Sequence, residues 1–263
     1  MNLELTGKLA LVSGSTAGIG FAIAQALSAE GARTIVNGRS EESVAKAIDE
    51  LKATAKGELL GFAGDLSLPE EIAKLTSQYP EVDILVNNLG IFEPKPFEEI
   101  PDEDWKRFFE VNVLSGVRLS RSYLPRMKKT NWGRVIFISS ESGVQIPAEM
   151  IHYGMTKAAQ IAIARGIAED VAGTGITVNS VLPGPTKSRG VIGFIDDMAK
   201  QTGQSAEEFE KDFFKNNRPT SLNQRFADPA EVASLVAYLC SPLASATTGA
   251  AMRVEGGILK SAF

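Results

Sequence analysis

The sequence predicts a doubly wound α/β fold of about seven parallel strands with helices on both faces. Three observations predict it. Short apolar runs alternate with longer stretches of helical periodicity along nearly the whole chain. Such alternation builds right-handed βαβ units, which lay their strands side by side and parallel. The first apolar run opens into a glycine-rich turn at Gly14, Gly18 and Gly20. The chain has 263 residues, 44% of them hydrophobic, enough for one large α/β domain with a sizeable core or for two small ones. No linker, repeat or low-complexity segment divides it, so residues 1–263 read as a single domain.

The elements follow in order. "KLALVSGS" (8–15) is a buried strand: apolar, then Gly and Ser. "GFAIAQALSAEGA" (20–32) carries Phe21, Ala24, Leu27 and Ser28 at helical spacing, with Gly31 as the stop. "ARTIVNGR" (32–39) is a second strand. In "SEESVAKAIDELKA" (40–53), Ser40 and Ser43 are candidate caps of a helix. Further strands are expected in "ELLGFAGD", "VDILVNNLG", "GRVIFISS", "ITVNSVLPG" and "GAAMRVEGG". Between them, "PEEIAKLTSQY", "DEDWKRFFEVNVLSGVRLSRSYLPRM" and the stretch around "IHYGMTKAA" have helical spacing. In "DPAEVASLVAYLC", Asp228 caps, Pro229 fits the first helical position and Glu231 completes a capping box. The rhythm breaks from Pro185 to Phe226, a connection far beyond the usual few residues and long enough for a substrate-binding lid. Phe194, Phe209, Phe213 and Phe214 recur there beside acidic residues, as in one or two amphipathic helices.

Charge and cysteine usage exclude several classes. Lys+Arg total 27 against Asp+Glu 32, a net charge of −5, the wrong sign for a nucleic-acid surface. The basic run Arg118, Arg121, Arg126, Lys128, Lys129 and Arg134 reads as a solvated helix face and its exit. The single cysteine, Cys240, sits among apolar neighbours as a buried thiol and fits a reducing compartment. The start "MNLELTGKLA" is not of signal-peptide type, and no apolar run approaches the roughly 20 residues of a membrane span. A cytoplasmic protein is expected, with neither nucleic acid nor membrane as partner.

The glycine turn is spaced G-x-x-x-G-x-G, not the G-x-G-x-x-G of two-domain dehydrogenases. The physics is shared: the backbone turns sharply, and the next helix points its N-terminus at a phosphate. The second strand ends at "VNGRS", where a dinucleotide's adenosine ribose would lie. An acidic residue there would hold the free hydroxyls of NAD. This chain offers Asn37, Arg39 and Ser40 instead, and Arg39 suits a 2′-phosphate. NADP(H) is therefore the expected cofactor, with NAD(H) the alternative. Asp65 and Leu66 end the third strand, placed to edge the adenine.

"SGSTAGIG", "NNLG", "ISSESG", "YGMTK" and "VNSVLPGPT" occur in the order and rough spacing of the short-chain dehydrogenases/reductases, in their short single-domain form. The resemblance runs from Leu9 to about Gly257. It implies a Rossmann-type fold, a nicotinamide cofactor, and hydride transfer between a carbonyl and an alcohol. Carried over by position, Tyr153 resembles the acid/base and Lys157 its partner. Ser140, thirteen positions before the tyrosine, resembles the substrate-positioning serine, with Ser139 and Ser142 as rivals. Asn112 resembles the fourth member, which holds a water in a proton relay. Gly14, Ser15, Gly18, Ile19, Gly20, Asn88 and Gly90 fall at cofactor-turn positions, and Pro183, Gly184 and Thr186 at the nicotinamide end. Two residues depart from the family pattern. Ser13 stands for the usual Thr and keeps its hydroxyl. Leu89 stands for the usual Ala and puts a larger side chain beside the cofactor.

The chemistry needs these groups. Hydride addition leaves charge on the carbonyl oxygen, and a proton must arrive there. A free tyrosine, with a pKa of about 10, is a sluggish base at neutral pH, and a nearby cation would lower that value. Tyr153 and Lys157 are spaced i, i+4, on one helix face. His152 projects about 100° away and receives no catalytic role. No His/Cys cluster suggests a catalytic zinc. Gln145, Ile146 and Phe194 are the candidate substrate contacts, by position. The substrate class stays open among small carbonyls, acyl chains, sugars and steroids. The leading reading is an NADP(H)-preferring oxidoreductase, ahead of an NAD-linked alcohol dehydrogenase and a non-catalytic nucleotide-sensing regulator. The resemblance further implies a homotetramer, or a dimer, packing through faces such as "KAAQIAIARGIA".

Overall fold

The computed structural model describes residues 2–188, 193 and 204–262. One seven-stranded sheet organises them, in the order β3-β2-β1-β4-β5-β6-β7. The strands are β1 (Leu9–Val12), β2 (Arg33–Gly38), β3 (Leu59–Ala63), β4 (Ile84–Asn87), β5 (Gly133–Ile138), β6 (Ile176–Pro183) and β7 (Ala251–Val254). Every pairing is parallel; Leu11, for example, lies opposite Ile35 on one side and Leu85 on the other. Strands buried on both faces read as unbroken apolar runs, which is why the sequence exposes them.

Helices cover both faces. On one, α1 (Gly18–Ala29) packs with the capped helix Pro229–Cys240 over Val12, Val36, Val86 and Ile136. On the other, Leu11, Ile35, Leu85 and Phe137 meet Leu119, Tyr123 and Ala164 from the helices before and after β5. Truncating one of these fully buried side chains, such as Leu11, would cost about 2–5 kcal/mol. The predicted capping box at Asp228 and Glu231 is present, and Ser40 caps α2 (Glu41–Leu51) by accepting from the Ser43 amide. Cys240 is fully buried, and burial pushes its thiol up to about 12.

Three features depart from the sequence reading. The stretch expected as one regular helix is broken. Helix Asp102–Phe109 passes through a π-turn at Glu110–Leu114 into helix Ser115–Thr130. Such single-residue expansions recur at functional sites, and this one contains Asn112. Arg134 is not part of a solvated exit. It is 1% exposed, because it opens a strand covered on both sides. Its guanidinium donates to the carbonyls of Gly133, Gly175 and Ser241 and stacks over Trp132, 4.6 Å from the ring centre. Burial lowers its pKa from the ordinary arginine value. Arg118 is half-buried and donates to Glu110 and the Ser67 carbonyl. Of the long insertion, Ala206–Asn216 is a helix opened by a capping box at Ser205 and Glu208. Phe213 and Phe214 pack it on Phe226, at ring distances of 5.0 and 5.1 Å. Phe194 lies outside the described residues.

Candidate active site

The strand order reverses between β1 and β4, and an open parallel sheet binds ligands beyond its strand ends at such a point. The turn after β1 is built for close approach. Gly14 and Gly18 have φ of +61° and +58°, a region costly for other residues. At Gly20 a Cβ would sit 2.4 Å from the Gly14 carbonyl oxygen and 2.5 Å from Asn88 Nδ2. The N-cap of α1, Ala17, supplies no side-chain cap, so the first amides of the helix stay available. The turn is stapled from below. Ser13 Oγ accepts from the amides of Asn88 and Leu89, at 2.9 and 3.0 Å. Ser15 Oγ donates to the Val12 carbonyl. The Leu89 side chain lies against Gly14, 3.4 Å from where a Cβ would stand.

At the end of β2, Asn37 is consumed by the scaffold. It is 1% exposed, accepts from the Gly14 amide and donates to the carbonyls of Phe62 and Gly64. Arg39 and Ser40 follow on the surface, and Ser40 is engaged as a helix cap. Arg39 forms no ion pair among the described residues. Asp65 accepts from the Ser67 amide and hydroxyl, and Leu66 is fully buried, leaving only its backbone to face a ligand. Gly20's cradle and the uncapped helix fit the pyrophosphate of a dinucleotide.

Next to this turn opens a cavity of about 450 Å³. Ile19, Asn88, Gly90, Ser140, Tyr153 and Lys157 line it, with Pro183, Gly184 and Thr186 on the far side. Gly184 has no room for a side chain, since a Cβ there would be 2.7 Å from the Glu255 carbonyl oxygen. Tyr153 and Lys157 project from one face of helix Ile151–Asp170, and Ser140 stands just past the end of β5. Gly90 admits the lysine: a Cβ there would lie 3.4 Å from Lys157 Nζ. Of the rival serines, Ser139 spends its hydroxyl on the Lys157 carbonyl, and Ser142 gives its amide to Ser140 Oγ.

The electrostatics differ from expectation in one respect. Lys157 Nζ is 5.5 Å from the Tyr153 ring centre. In the chain alone, burial and then the Glu141 charge raise the tyrosine above its ordinary pKa, and the lysine does not lower it. The Ser140 hydroxyl and Arg218 pull weakly the other way. Tyr153 thus stands as a protonated phenol, poised to donate. Burial lowers Lys157 to about 8.

Asn112 is fully buried. Its side chain accepts from the Ile91 amide and donates to the Ile91 carbonyl and to Thr156 Oγ1. Its own carbonyl accepts from Gln160 Nε2 at 2.7 Å, which leaves its second lone pair for a further donor. Gln160 also accepts from Lys157 and was missed by sequence reading, although its i, i+3 spacing from the lysine was visible. Glu141, Glu149, Met150, Phe213 and Arg218 were missed as cavity wall. An acid directly after the site serine was the available signal for Glu141. Gln145 and Ile146 are exposed and do not line the cavity. His152 is fully buried against Phe108, with ring centres 4.1 Å apart, and lies outside it. Among the described residues, no cluster of three or more His, Cys, Asp or Glu is arranged to hold a metal ion. No described helix is long and apolar enough to cross a membrane.

A nucleotide turn beside a Ser-Tyr-Lys cavity on this sheet defines a nicotinamide-dependent oxidoreductase. Residues 8–199 match the family model described as short chain dehydrogenase. An uncharacterized oxidoreductase of Bacillus subtilis (strain 168), YvaG, is 51% identical over 264 residues, covering 100% of both chains. A 3-oxoacyl-[acyl-carrier-protein] reductase of Vibrio cholerae, FabG, is 36% identical over 98% of this chain and 99% of its own. Among solved structures, L-sorbose reductase from Gluconobacter frateurii, complexed with NADPH and L-sorbose, superposes with a TM-score of 0.93. It is 30% identical, covering 99% of this chain and 100% of that one. The chain belongs to the short-chain dehydrogenases/reductases and is an NAD(P)-dependent enzyme of that family.

Proposed function

We propose that this enzyme is an NADP(H)-preferring reductase that converts a small carbonyl compound to an alcohol. The observation that carries the reading is the juxtaposition of Tyr153, Ser140 and Lys157 in the lining of one cavity. The coenzyme choice is supported by Arg39, which forms no ion pair among the described residues while Asn37 is locked into the scaffold, and by the NADPH bound in the L-sorbose reductase.

The turn from Gly14 to Gly20, with Ser15 and Ile19, would hold the pyrophosphate. Arg39 would hold the 2′-phosphate, and Asp65 with the Leu66 backbone the adenine. Asn88, Gly90, Pro183, Gly184 and Thr186 would enclose the nicotinamide end. Bound NADPH supplies the hydride. Ser140 Oγ turns its proton to the carbonyl oxygen as charge develops there. Tyr153 Oη delivers the proton that completes the alcohol. Lys157 Nζ, held by the Ile138 carbonyl and Gln160, keeps a fixed cation beneath the phenol. Asn112 fixes the backbone at Ile91, and with it the cavity floor.

The insertion at 185–226 serves as the substrate lid; Phe213, Asn217 and Arg218 from its described part already line the cavity. A homotetramer in the cytoplasm is the expected working form, and a monomer by light scattering would refute the assembly. The test of the function is a panel of carbonyls and alcohols followed by nicotinamide absorbance with both coenzymes. NADPH oxidation by carbonyls supports the reading, and a preference for NADH would overturn the coenzyme assignment.

A further inference from the structure

Glu141 is a carboxylate where carbonyl chemistry has no evident need of one. It is 5% exposed, lines the cavity and directly follows the site serine. Its Oε2 accepts from Ser140 Oγ. Its Oε1 faces Arg218 Nε at 3.4 Å. Arg218 comes from the insertion, just past the helix Ala206–Asn216, with a side chain 12% exposed. It also faces Glu149 at 3.4 Å, so neither ion pair is closed tightly.

The hydroxyl of Ser140 has a single proton. In the chain alone that proton is given to Glu141. To assist the reaction, Ser140 must turn it to the substrate oxygen. Glu141 Oε2 then loses a donor inside a buried site, which is unfavourable unless another donor arrives. The nearest place for one is a hydroxyl on the carbon next to the reacting carbonyl, since Ser140 is shared by both acceptors. A ketone with no such hydroxyl leaves Oε2 without a donor, while Oε1 keeps Arg218. A substrate carboxylate meets Glu141 and Glu149 as like charges. Phe92, Met150 and Phe213 line the cavity with apolar surface for the carbon skeleton.

We propose that Glu141 is the specificity-determining residue of this cavity and selects neutral α-hydroxy carbonyl compounds, which the enzyme reduces to vicinal diols. The inference rests on the carbonyl–alcohol reading above. The hydride and the Tyr153 proton add across the C=O bond. The neighbouring hydroxyl only donates its hydrogen bond and is unchanged in the product.

The test uses the full chain with NADPH and three substrates of equal carbon count: 3-hydroxybutan-2-one, butan-2-one and acetoacetate. The wild type is expected to favour the hydroxyketone over butanone by about 100-fold in kcat/KM, with acetoacetate the poorest. Glu141→Gln is expected to cut that ratio at least about tenfold and to improve acetoacetate relative to butanone. NADPH binding by nicotinamide fluorescence reports whether the variant is folded. If it is not, Glu141→Asp serves the same comparison, and the wild-type ratios alone still decide the substrate class. Equal use of hydroxyketone and butanone, or a ratio unmoved by either variant, overturns the proposal while the carbonyl–alcohol reading survives. No NADPH oxidation with any of the three overturns the proposal, and the panel of carbonyls and alcohols with both coenzymes then decides the carbonyl–alcohol reading.

Discussion

The Lys157 ammonium donates to Gln160 Oε1 at 3.1 Å, and the Gln160 amide nitrogen donates onward to the Asn112 carbonyl at 2.7 Å. An amide therefore bridges Lys157 to the π-turn. It holds Lys157 in place. Gln160 is thus a positioning residue, 1% exposed and acting through the lysine.

Gln160→Leu removes one of the two acceptors that hold a buried ammonium. A hydrogen bond to a charged group contributes about 1.5–3 kcal/mol. The variant should push Lys157 below its value of about 8. The reaction uses the charged lysine, so the alkaline limb of kcat/KM should move to lower pH by about one unit. A pH–rate profile checks this. A lower Tm with an unmoved limb would mean that Gln160 is only packing.

Tyr153→Phe removes the proposed proton donor and leaves the nucleotide turn intact. Turnover should fall by about 10³-fold or more, with NADPH affinity within about threefold of wild type. Single-turnover absorbance and fluorescence titration separate the two. Appreciable residual activity would exclude Tyr153 as the donor.

Arg39→Ala should weaken NADPH by about 10–100-fold and NADH hardly at all, because a charge-assisted pair with a phosphate is lost. Titration with both coenzymes decides it. Equal loss for both would assign the preference elsewhere.

His152 gives a pH signature of stability. Neither ring nitrogen has a hydrogen-bond partner among the described residues, and the ring packs between Phe108 and Trp105. Burial lowers its pKa; the charges of Asp104 and Glu93 oppose that shift, and those of Lys95 and Arg107 add to it. With the folded value below the unfolded value of about 6.5, the unfolded chain takes up the proton first. Stability is therefore full above about pH 6.5 and declines as pH falls below it, by at most about 1.4 kcal/mol per pH unit. It levels off under the folded pKa. Thermal melts from pH 8 to 5 should show this decline in wild type and a flatter one in His152→Phe. Parallel curves would remove His152 as its source.

The sheet was legible because doubly covered strands are nearly continuous apolar runs, as in β1 and β4. The glycine turn was legible because Gly14, Gly18 and Gly20 have no substitutes there. Other features were not. A π-turn adds one residue to a helical pattern and leaves the period almost unchanged, so Glu110–Leu114 reads as ordinary helix. Arg134 looked solvated because the carbonyls that receive its guanidinium come from Gly133, Gly175 and Ser241, two of them remote in sequence. Gln145 was chosen by position between serine and tyrosine. The 3-10 turns at Glu141–Gly143 and Ala148–Met150 instead present Glu141, Glu149 and Met150 to the cavity. Burial, and then the Glu141 charge, raise the tyrosine in the chain alone, and neither is legible from the spacing of Tyr153 and Lys157.

The sealed thiol of Cys240 makes this chain a convenient optical instrument. Its only sulfhydryl is buried and held at about 12, so maleimides and iodoacetamides should pass it by at neutral pH. A cysteine substituted for exposed Lys215, on the helix of the insertion, would then be the sole reactive handle. A fluorophore or spin label placed there would follow that helix directly as coenzyme and substrate are added, with no background to subtract.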